Sequence, residues 1–172
     1  MPHIPGSHRG IIKMDHANAA LIERFYRAFQ RLDAEEMSAC YAEDIVFSDP
    51  VFGELRGREA GDMWRMLTQR AQAFSVSFDD VEASETGGSA KWIARYVFTQ
   101  SGRSVVNHVQ SRFRFRGGLI VEQRDTFALW SWTRQALGIK GTLLGWTPFV
   151  QGAIRKQARR GLDAWRTKAA RG

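Results

Sequence analysis

Residues 41–64 read YAEDIVFSDPVFGELRGREAGDMW. A helical run precedes this stretch, and its end starts another helix. Ile45 to Ser48 has the composition of a short strand. At the centre, Asp49 stands directly before Pro50. A proline ring disfavours the α conformation in the residue before it, so Asp49 is biased to extended backbone. Its carboxylate is thereby held at a strand end beside Val46, Phe47, Val51 and Phe52. A carboxylate among apolar groups is poorly solvated, which raises its pKa toward the range of a general base. Asp49 is the leading candidate for chemistry in this chain.

Upstream, Ala19, Leu21, Ile22, Phe25, Tyr26, Phe29 and Leu32 recur at helical spacing, with Asp15 as the expected N-cap. Asp33 is the expected cap of a second helix running to Tyr41, with Glu36 at the fourth position of a capping box. Downstream, a loop with Gly53 and Gly57 leads into a third helix over residues 58–73. Its positions Met63, Trp64, Met66 and Leu67 suit partial burial.

The texture then changes. SVSFDDVEAS, AKWIARYVFTQ, RSVVNHVQSRFRFR and LIVEQRDTFALW each alternate apolar with polar residues. Turns are expected at Gly87-Gly88, Ser101-Gly102 and Gly117-Gly118, which makes these segments hairpins. Helices followed by an antiparallel meander define the α+β class. Side chains alternate faces along a strand. Val105, Asn107, Val109, Ser111, Phe113 and Phe115 therefore share the core face, and His108 lies on the other. In the last strand, Leu119 and Val121 on the core face would carry Gln123, Asp125 and Phe127 inward. Asp125 becomes a second candidate.

The chain has 172 residues, of which 44% are hydrophobic. That is one domain of ordinary size with a real core. No run of about 18 apolar residues suggests a membrane span. The opening MPHIPGSHRGIIK lacks an apolar signal-peptide core and reads as a disordered extension over residues 1–14. The single cysteine, Cys40, excludes an internal disulfide; it reads as a small buried hydrophobe and fits a reducing cytoplasm.

The formal charge of +7 is uneven. From Phe149 onward, seven cations face one acid, Asp163, a net +6. The preceding domain is near neutral, which argues against nucleic acid as a partner of the whole protein. Ser131 to Leu137 suits a short helix stopped by Gly138. After the Gly-rich GIKGTLLG, Thr147-Pro148 starts a basic amphipathic helix with the stripe Trp146, Val150, Ile154, Ala158, Leu162 and Trp165. Packing of that stripe on the body or on a partner subunit is the favoured reading. Contact with a membrane surface and contact with phosphate backbones are the alternatives.

Helix, helix, short strand with Asp-Pro, helix and four-stranded meander resemble the nuclear transport factor 2 superfamily, over roughly Asp15 to Leu129. RFYRAFQRLDAEEMSACYAEDIVFSDPVFG is similar to the corresponding run of ketosteroid isomerases. LLGWTPFVQGAIRKQARRGLDAW is similar to the tail of a bacterial branch of proteins like the SnoaL polyketide cyclases. The resemblance implies a domain over 15–130, with a curved sheet wrapped around the N-terminal helices to form a conical, mostly apolar pocket. It also implies dimers formed through the sheet, with 131–172 as a basic helical extension.

The isomerase resemblance places the catalytic base at Asp49. The tyrosine that donates to the oxyanion falls at Phe25, which cannot donate. Tyr26 is adjacent but about 100° around the helix. The protonated aspartate of the oxyanion hole falls near Ser111, a weaker donor. Losing one such donor typically costs about 2.7–4 kcal/mol in the barrier, so the resemblance does not extend to steroid isomerisation. The Asp-Arg-Asp pattern of epoxide hydrolases and the histidine of scytalone dehydratase have no clear counterpart.

What remains is an inward pair, Asp49 and Asp125. Two carboxylates in one apolar pocket cannot both ionise cheaply, which suits acid–base work. The structural alternative is that Asp49 caps the following turn and Asp125 pairs with Arg124 or Arg95. Trp64, Trp92, Tyr96, Phe113, Phe127 and Trp130 are partly inward by pattern. In the implied fold all of these but Trp130 line the pocket, as do Phe25, Tyr26, Phe29, Phe47 and Ser111. His3, His8 and His16 have no clustered partners, so no metal is expected. Nothing matches a P-loop, a dinucleotide fingerprint or a serine-hydrolase elbow, and no cofactor is expected. Two functions stay open: a cofactor-independent acid–base enzyme on a small apolar molecule, or a non-catalytic protein that binds one.

Overall fold

The computed structural model describes residues 16–172. The expected extension over residues 1–14, with His3 and His8, lies outside them, as does Asp15. Helix α1 (Ala17–Gln30) buries Leu21, Ile22, Phe25, Tyr26 and Phe29. Its N-cap is His16, whose Nδ1 accepts from the Asn18 N–H at 3.2 Å. Helix α2 (Ala34–Ala39) is capped as expected by Asp33 Oδ1, which accepts from the Glu36 N–H at 3.0 Å. The capping box is only half made. The Asp33 N–H binds the Ala28 carbonyl, and the Glu36 carboxylate accepts from Arg24 instead.

Six strands form an open, curved sheet: β1 (Tyr41–Asp49), β2 (Gly53–Arg56), β3 (Ser75–Ala83), β4 (Gly87–Phe98), β5 (Arg103–Arg116) and β6 (Leu119–Thr126). The order is β2-β1-β6-β5-β4-β3. Strands β3 to β6 are the expected antiparallel meander. The sheet as a whole is not antiparallel, because β1 joins β6 in parallel. Parallel neighbours need a long crossover. Here the crossover is helix α3 (Arg58–Arg70) together with the meander itself. The expected loop at Gly53 contains β2. Gly53 takes a positive φ of 70°, the chain folds back, and Leu55 pairs with Phe47 and is fully buried.

Two local expectations fail for reasons of packing. Gly87 and Gly88 lie in β4, and the turn falls two residues earlier, at Glu85-Thr86, where the Ser84 N–H binds the Gly87 carbonyl. A Cβ on Gly88 would sit 2.8 Å from the Glu82 carbonyl oxygen and 3.0 Å from Ile22 Cδ1, so this glycine admits α1 onto the sheet. In β6 it is Ile120, not Leu119 or Val121, that is fully buried. Phe115 pairs with Ile120 but Arg114 pairs with Glu122, so Val121 is a bulge. A bulge shifts the alternation by one residue. Gln123 and Asp125 consequently do point inward, opposite Phe113 and Ser111.

The core lies between one face of the sheet and helices α1 and α3, with Ile22, Phe25, Tyr26, Phe47 and Met63 sealed from solvent. Three further helices follow: α4 (Leu129–Leu137), α5 (Ile139–Leu144) and α6 (Pro148–Ala169). The Gly-rich piece GIKGTLLG, to which the sequence assigned no element, contains α5. Thr147 caps α6 and Pro148 opens it, as the sequence predicts. Val150, Ile154, Ala158, Leu162 and Trp165 turn toward the body, with Leu162 1% exposed inside the main core. Arg166 reaches Asp62 at 2.9 Å, and the Trp165 indole donates to Gln69 Oε1 at 2.9 Å. Trp146 is not in that stripe; it sits in the α5–α6 turn and is exposed, and Trp130 is also largely exposed. Among the described residues no helix is long and apolar enough to cross a membrane.

Candidate functional site

A cavity of about 300 Å³ opens between α3, β4, α4 and α6, and both Asp49 and Asp125 lie on its wall. Asp49 is the last residue of β1. Pro50 sends the chain into a tight turn, and Asp49 Oδ1 accepts from the N–H groups of Val51 at 2.9 Å and Phe52 at 2.6 Å. This is an Asx turn, which a short carboxylate forms with its own backbone. Oδ1 is thereby used. Oδ2 has no donor among the described residues. Burial pushes the Asp49 carboxyl up to about 6, against the pull of the two N–H groups and the nearby Arg155 charge. Asp49 is half-buried and lies on the cavity wall, and desolvation is the largest influence on its carboxyl.

Asp125, on β6, is 3% exposed. Its Oδ1 accepts from the Ser111 hydroxyl at 2.5 Å and from Gln123 Nε2 at 3.1 Å. The Ser111 oxygen in turn accepts from the Tyr26 hydroxyl at 2.8 Å and the Trp92 indole at 2.9 Å. Both of those are spent as donors, so the single Ser111 proton must go to Asp125. On the other side, Gln123 Oε1 accepts from the Tyr41 hydroxyl at 2.7 Å, and the Tyr41 oxygen accepts from the Trp64 indole at 2.9 Å. Gln123 Nε2 also reaches Asp125 Oδ2 at 3.3 Å, and this less engaged oxygen is where the network leaves room for a proton. Burial raises the Asp125 carboxyl to about 7; the Ser111 and Gln123 bonds oppose that rise and the Asp49 charge adds to it. Burial thus lifts both carboxyls above the usual carboxylate range, Asp125 further than Asp49.

A third group joins them. Tyr96, on β4, lines the cavity, and its oxygen accepts from the Trp132 indole at 2.7 Å. Its own proton has no protein acceptor among the described residues. The cavity thus holds two carboxyls and a phenol, set in a wall of Phe29, Trp64, Trp92 and Phe127.

Several expected lining residues are elsewhere. Phe25, Phe47 and Phe113 are core. Phe25 and Phe47 both pack edge-on to Trp64, and Phe113 stacks on Phe115. Tyr26 and Ser111 stand behind Asp125 rather than in the wall. The aromatics in front of these side chains take the wall position. Asp49 does cap its turn, but through one oxygen only. Among the described residues Asp125 has no arginine partner, since Arg124 points to the opposite face and binds Glu122. His108 is exposed on the outer face. Sequence reasoning missed Trp132, Ile154 and Ala158, which close the cavity from α4 and α6. The apolar stripe of α6 was the signal for Ile154 and Ala158.

The family model for the SnoaL-like domain matches residues 22–123, from α1 into β6. The chain belongs to the SnoaL-like family. Asp49 lies within the match, whereas Asp125 and the three C-terminal helices lie beyond it. An LEH-like epoxide hydrolase of M. tuberculosis superposes with a TM-score of 0.60 at 21% identity, over 74% of this chain and 92% of that one. A protein of Catenulispora acidiphila with a ketosteroid isomerase-like fold, solved with trimethylamine, gives 0.62 at 16%, over 74% and 97%. A protein of Xanthomonas campestris pv. campestris assigned as a polyketide cyclase gives 0.59 at 22%, over 70% and 96%. At these identities the likeness carries the fold of this SnoaL-like chain and no activity. No curated protein matches it.

Proposed function

We propose that this SnoaL-like protein is a cofactor-independent acid–base enzyme acting on a small apolar molecule with one oxygen function, such as a carbonyl or an epoxide. The observation that carries the proposal is the placement of two carboxyls with raised pKa values on the wall of one apolar cavity, where Asp49 Oδ2 has no donor among the described residues and Asp125 Oδ2 accepts only a long 3.3 Å bond that Gln123 shares between both carboxyl oxygens. Asp49 Oδ2 is the base, removing a proton from carbon or from an attacking water. Asp125 Oδ2 returns a proton to the substrate oxygen, and the Tyr96 hydroxyl donates a hydrogen bond to it as charge develops there. Proton transfer by such groups is typically worth about 10²–10⁴-fold each. The apolar wall selects the substrate by shape, and 300 Å³ sits at the lower end of ligand-pocket volumes.

The competing reading is a binding protein without turnover. The turn-capping role of Asp49 Oδ1 favours it, because that role alone explains an aspartate before Pro50. One experiment separates the two. Wild type and Asp49→Asn are incubated in deuterated water with small cyclic ketones, diketones and epoxides. Exchange next to the carbonyl, isomerisation and diol formation are followed by NMR. Turnover by wild type that falls at least about 10²-fold in Asp49→Asn supports the enzyme. Compounds that raise the melting temperature of both proteins equally, with no turnover by either, leave a binding protein.

A further inference from the structure

Helix α5 is built inside out. Its small residues face the protein and its large apolar residues face water. A Cβ on Gly141 would lie 2.0 Å from the Thr133 carbonyl oxygen, and one on Gly145, the C-cap, 2.0 Å from Thr133 Oγ1. These two glycines, one turn apart, let α5 lie directly on α4. On the other side, Ile139 is 79% exposed, Leu143 65%, Trp146 65% and, at the start of α6, Phe149 85%. Leu144 is also exposed, and so is Trp130 of α4, whose indole donates to the Thr142 carbonyl at 3.3 Å. A surface helix of a globular protein normally has the reverse arrangement. A contiguous apolar surface of this kind marks an interaction site.

The charges around it indicate the partner. From Phe127 to Leu162 the sequence holds no Asp or Glu, while Arg134, Lys140, Arg155, Lys156, Arg159 and Arg160 all fall within it. On α6 the exposed face begins with Phe149 and continues through Gly152 and Ala153 to Lys156 and Arg160, all on one side at helical spacing. Arg134 sits over the Trp130 ring at 5.2 Å. Arg155 and Arg159 turn to the body, where they donate to the Pro50 and Glu54 carbonyls. Apolar tips, two indoles and the remaining cations Arg134, Lys140, Lys156 and Arg160 complement an anionic lipid interface, where aromatic side chains enter the headgroup region and lysines and arginines meet lipid phosphates. A second copy of the chain fits poorly, because face-to-face pairing would oppose the two basic rims. Nucleic acid fits poorly too, since Ile139, Leu143 and Phe149 offer it nothing.

We propose that α5 and the first turn of α6 dock this protein on anionic membrane surfaces. This relocates the membrane reading suggested by the sequence. The apolar stripe of α6 is occupied by the body of the protein, and the free apolar surface is α5 and its following turn. The docking site does not depend on the acid–base reading of the cavity, although Leu137, two residues before Ile139, lines that cavity.

The test is co-sedimentation of the full chain with phosphatidylcholine vesicles with and without 30% phosphatidylserine, at low and high salt. Wild type is expected to bind the anionic vesicles at least tenfold more tightly than the neutral ones. Trp146→Ser with Phe149→Ser is expected to weaken that binding at least tenfold without lowering the melting temperature, because both side chains are outside the core. Lys140→Gln with Lys156→Gln is expected to reduce the preference for anionic lipid. Failure of wild type to bind either vesicle overturns the proposal. So does binding that the Trp146/Phe149 variant retains in full, which would be charge attraction alone. A wild-type dimer that this variant converts to monomer, with no vesicle binding, would make the patch a subunit interface and also overturns it. None of these outcomes bears on Asp49.

Discussion

The Trp132 indole N–H donates to the Tyr96 hydroxyl oxygen at 2.7 Å. Because that oxygen receives a donor, the phenol keeps its own proton for something else, and it stands on the cavity wall. Burial raises the Tyr96 pKa and the Asp49 charge adds to it, so the proton stays on. Tyr96→Phe should therefore lower turnover by about 10²–10³-fold, as loss of one preorganised donor does, with little change in stability. Trp132→Phe removes the bond that orients the phenol and should cost about 1 kcal/mol in urea unfolding, with a smaller loss of rate.

Asp125 makes stability depend on pH. Its carboxyl titrates at about 7 in the folded protein against an ordinary value of 3.8. The folded state therefore binds the proton more tightly than the unfolded state. The associated stability is fully present below the unfolded pKa and is lost as pH rises through the folded one. A shift of this size corresponds to roughly 4 kcal/mol. Asp125→Asn keeps an oxygen to accept from Ser111 and Gln123 but never ionises. Its stability relative to wild type should rise by about 2–3 kcal/mol between pH 5 and pH 8. Urea unfolding at both pH values checks this, and a difference that does not change with pH would show that Asp125 titrates normally.

The α4–α5 contact makes a separate prediction. Gly141→Ala places a methyl within 2.0 Å of backbone and should cost about 1–3 kcal/mol by forcing the two helices apart. Gly152→Ala, in α6, meets nothing within 4 Å and should instead stabilise by about 0.8–1.0 kcal/mol through helix propensity. Thermal unfolding of the two variants side by side should give shifts of opposite sign.

The helices, the meander and both aspartates were legible because each rests on periodicity or on a proline. Asp125 was reached through a wrong premise. Leu119 and Val121 are not the core positions, and only the bulge at Val121 restores the face of Asp125. Bulges depend on how two strands pair, which one strand does not reveal. Strand β2 and the parallel β1–β6 pairing were hidden for the same reason. Helix α5 was hidden by its glycines, which read as loop until their packing on Thr133 is seen. Phe25, Phe47 and Phe113 could be read as inward, but whether an inward aromatic fills the core or faces a cavity depends on what stands in front of it. Ile154 and Ala158 were visible as a stripe with no indication of what the stripe covers.

What the α6 stripe covers also determines which charge reaches Asp49. Helix α6 brings Arg155 to the end of β1, where its Nε donates to the Pro50 carbonyl at 3.0 Å. Its charge lowers the Asp49 pKa, against the larger effect of burial that lifts it to about 6. Arg155→Met should therefore move the Asp49 titration upward, with the fold intact because Arg155 is exposed. The unfolded-state pKa is unchanged by the substitution. The stability lost through Asp49 ionisation should then begin at the same pH, continue to a higher one and be larger once it is complete. Carbon-13 NMR of labelled aspartate reads the shift directly, in the absence of any substrate. If Asp49 is the base, the acidic limb of the turnover profile should move up by the same amount. A moved NMR titration with an unmoved acidic limb would separate the electrostatics, which would stand, from the assignment of Asp49 as the base, which would not.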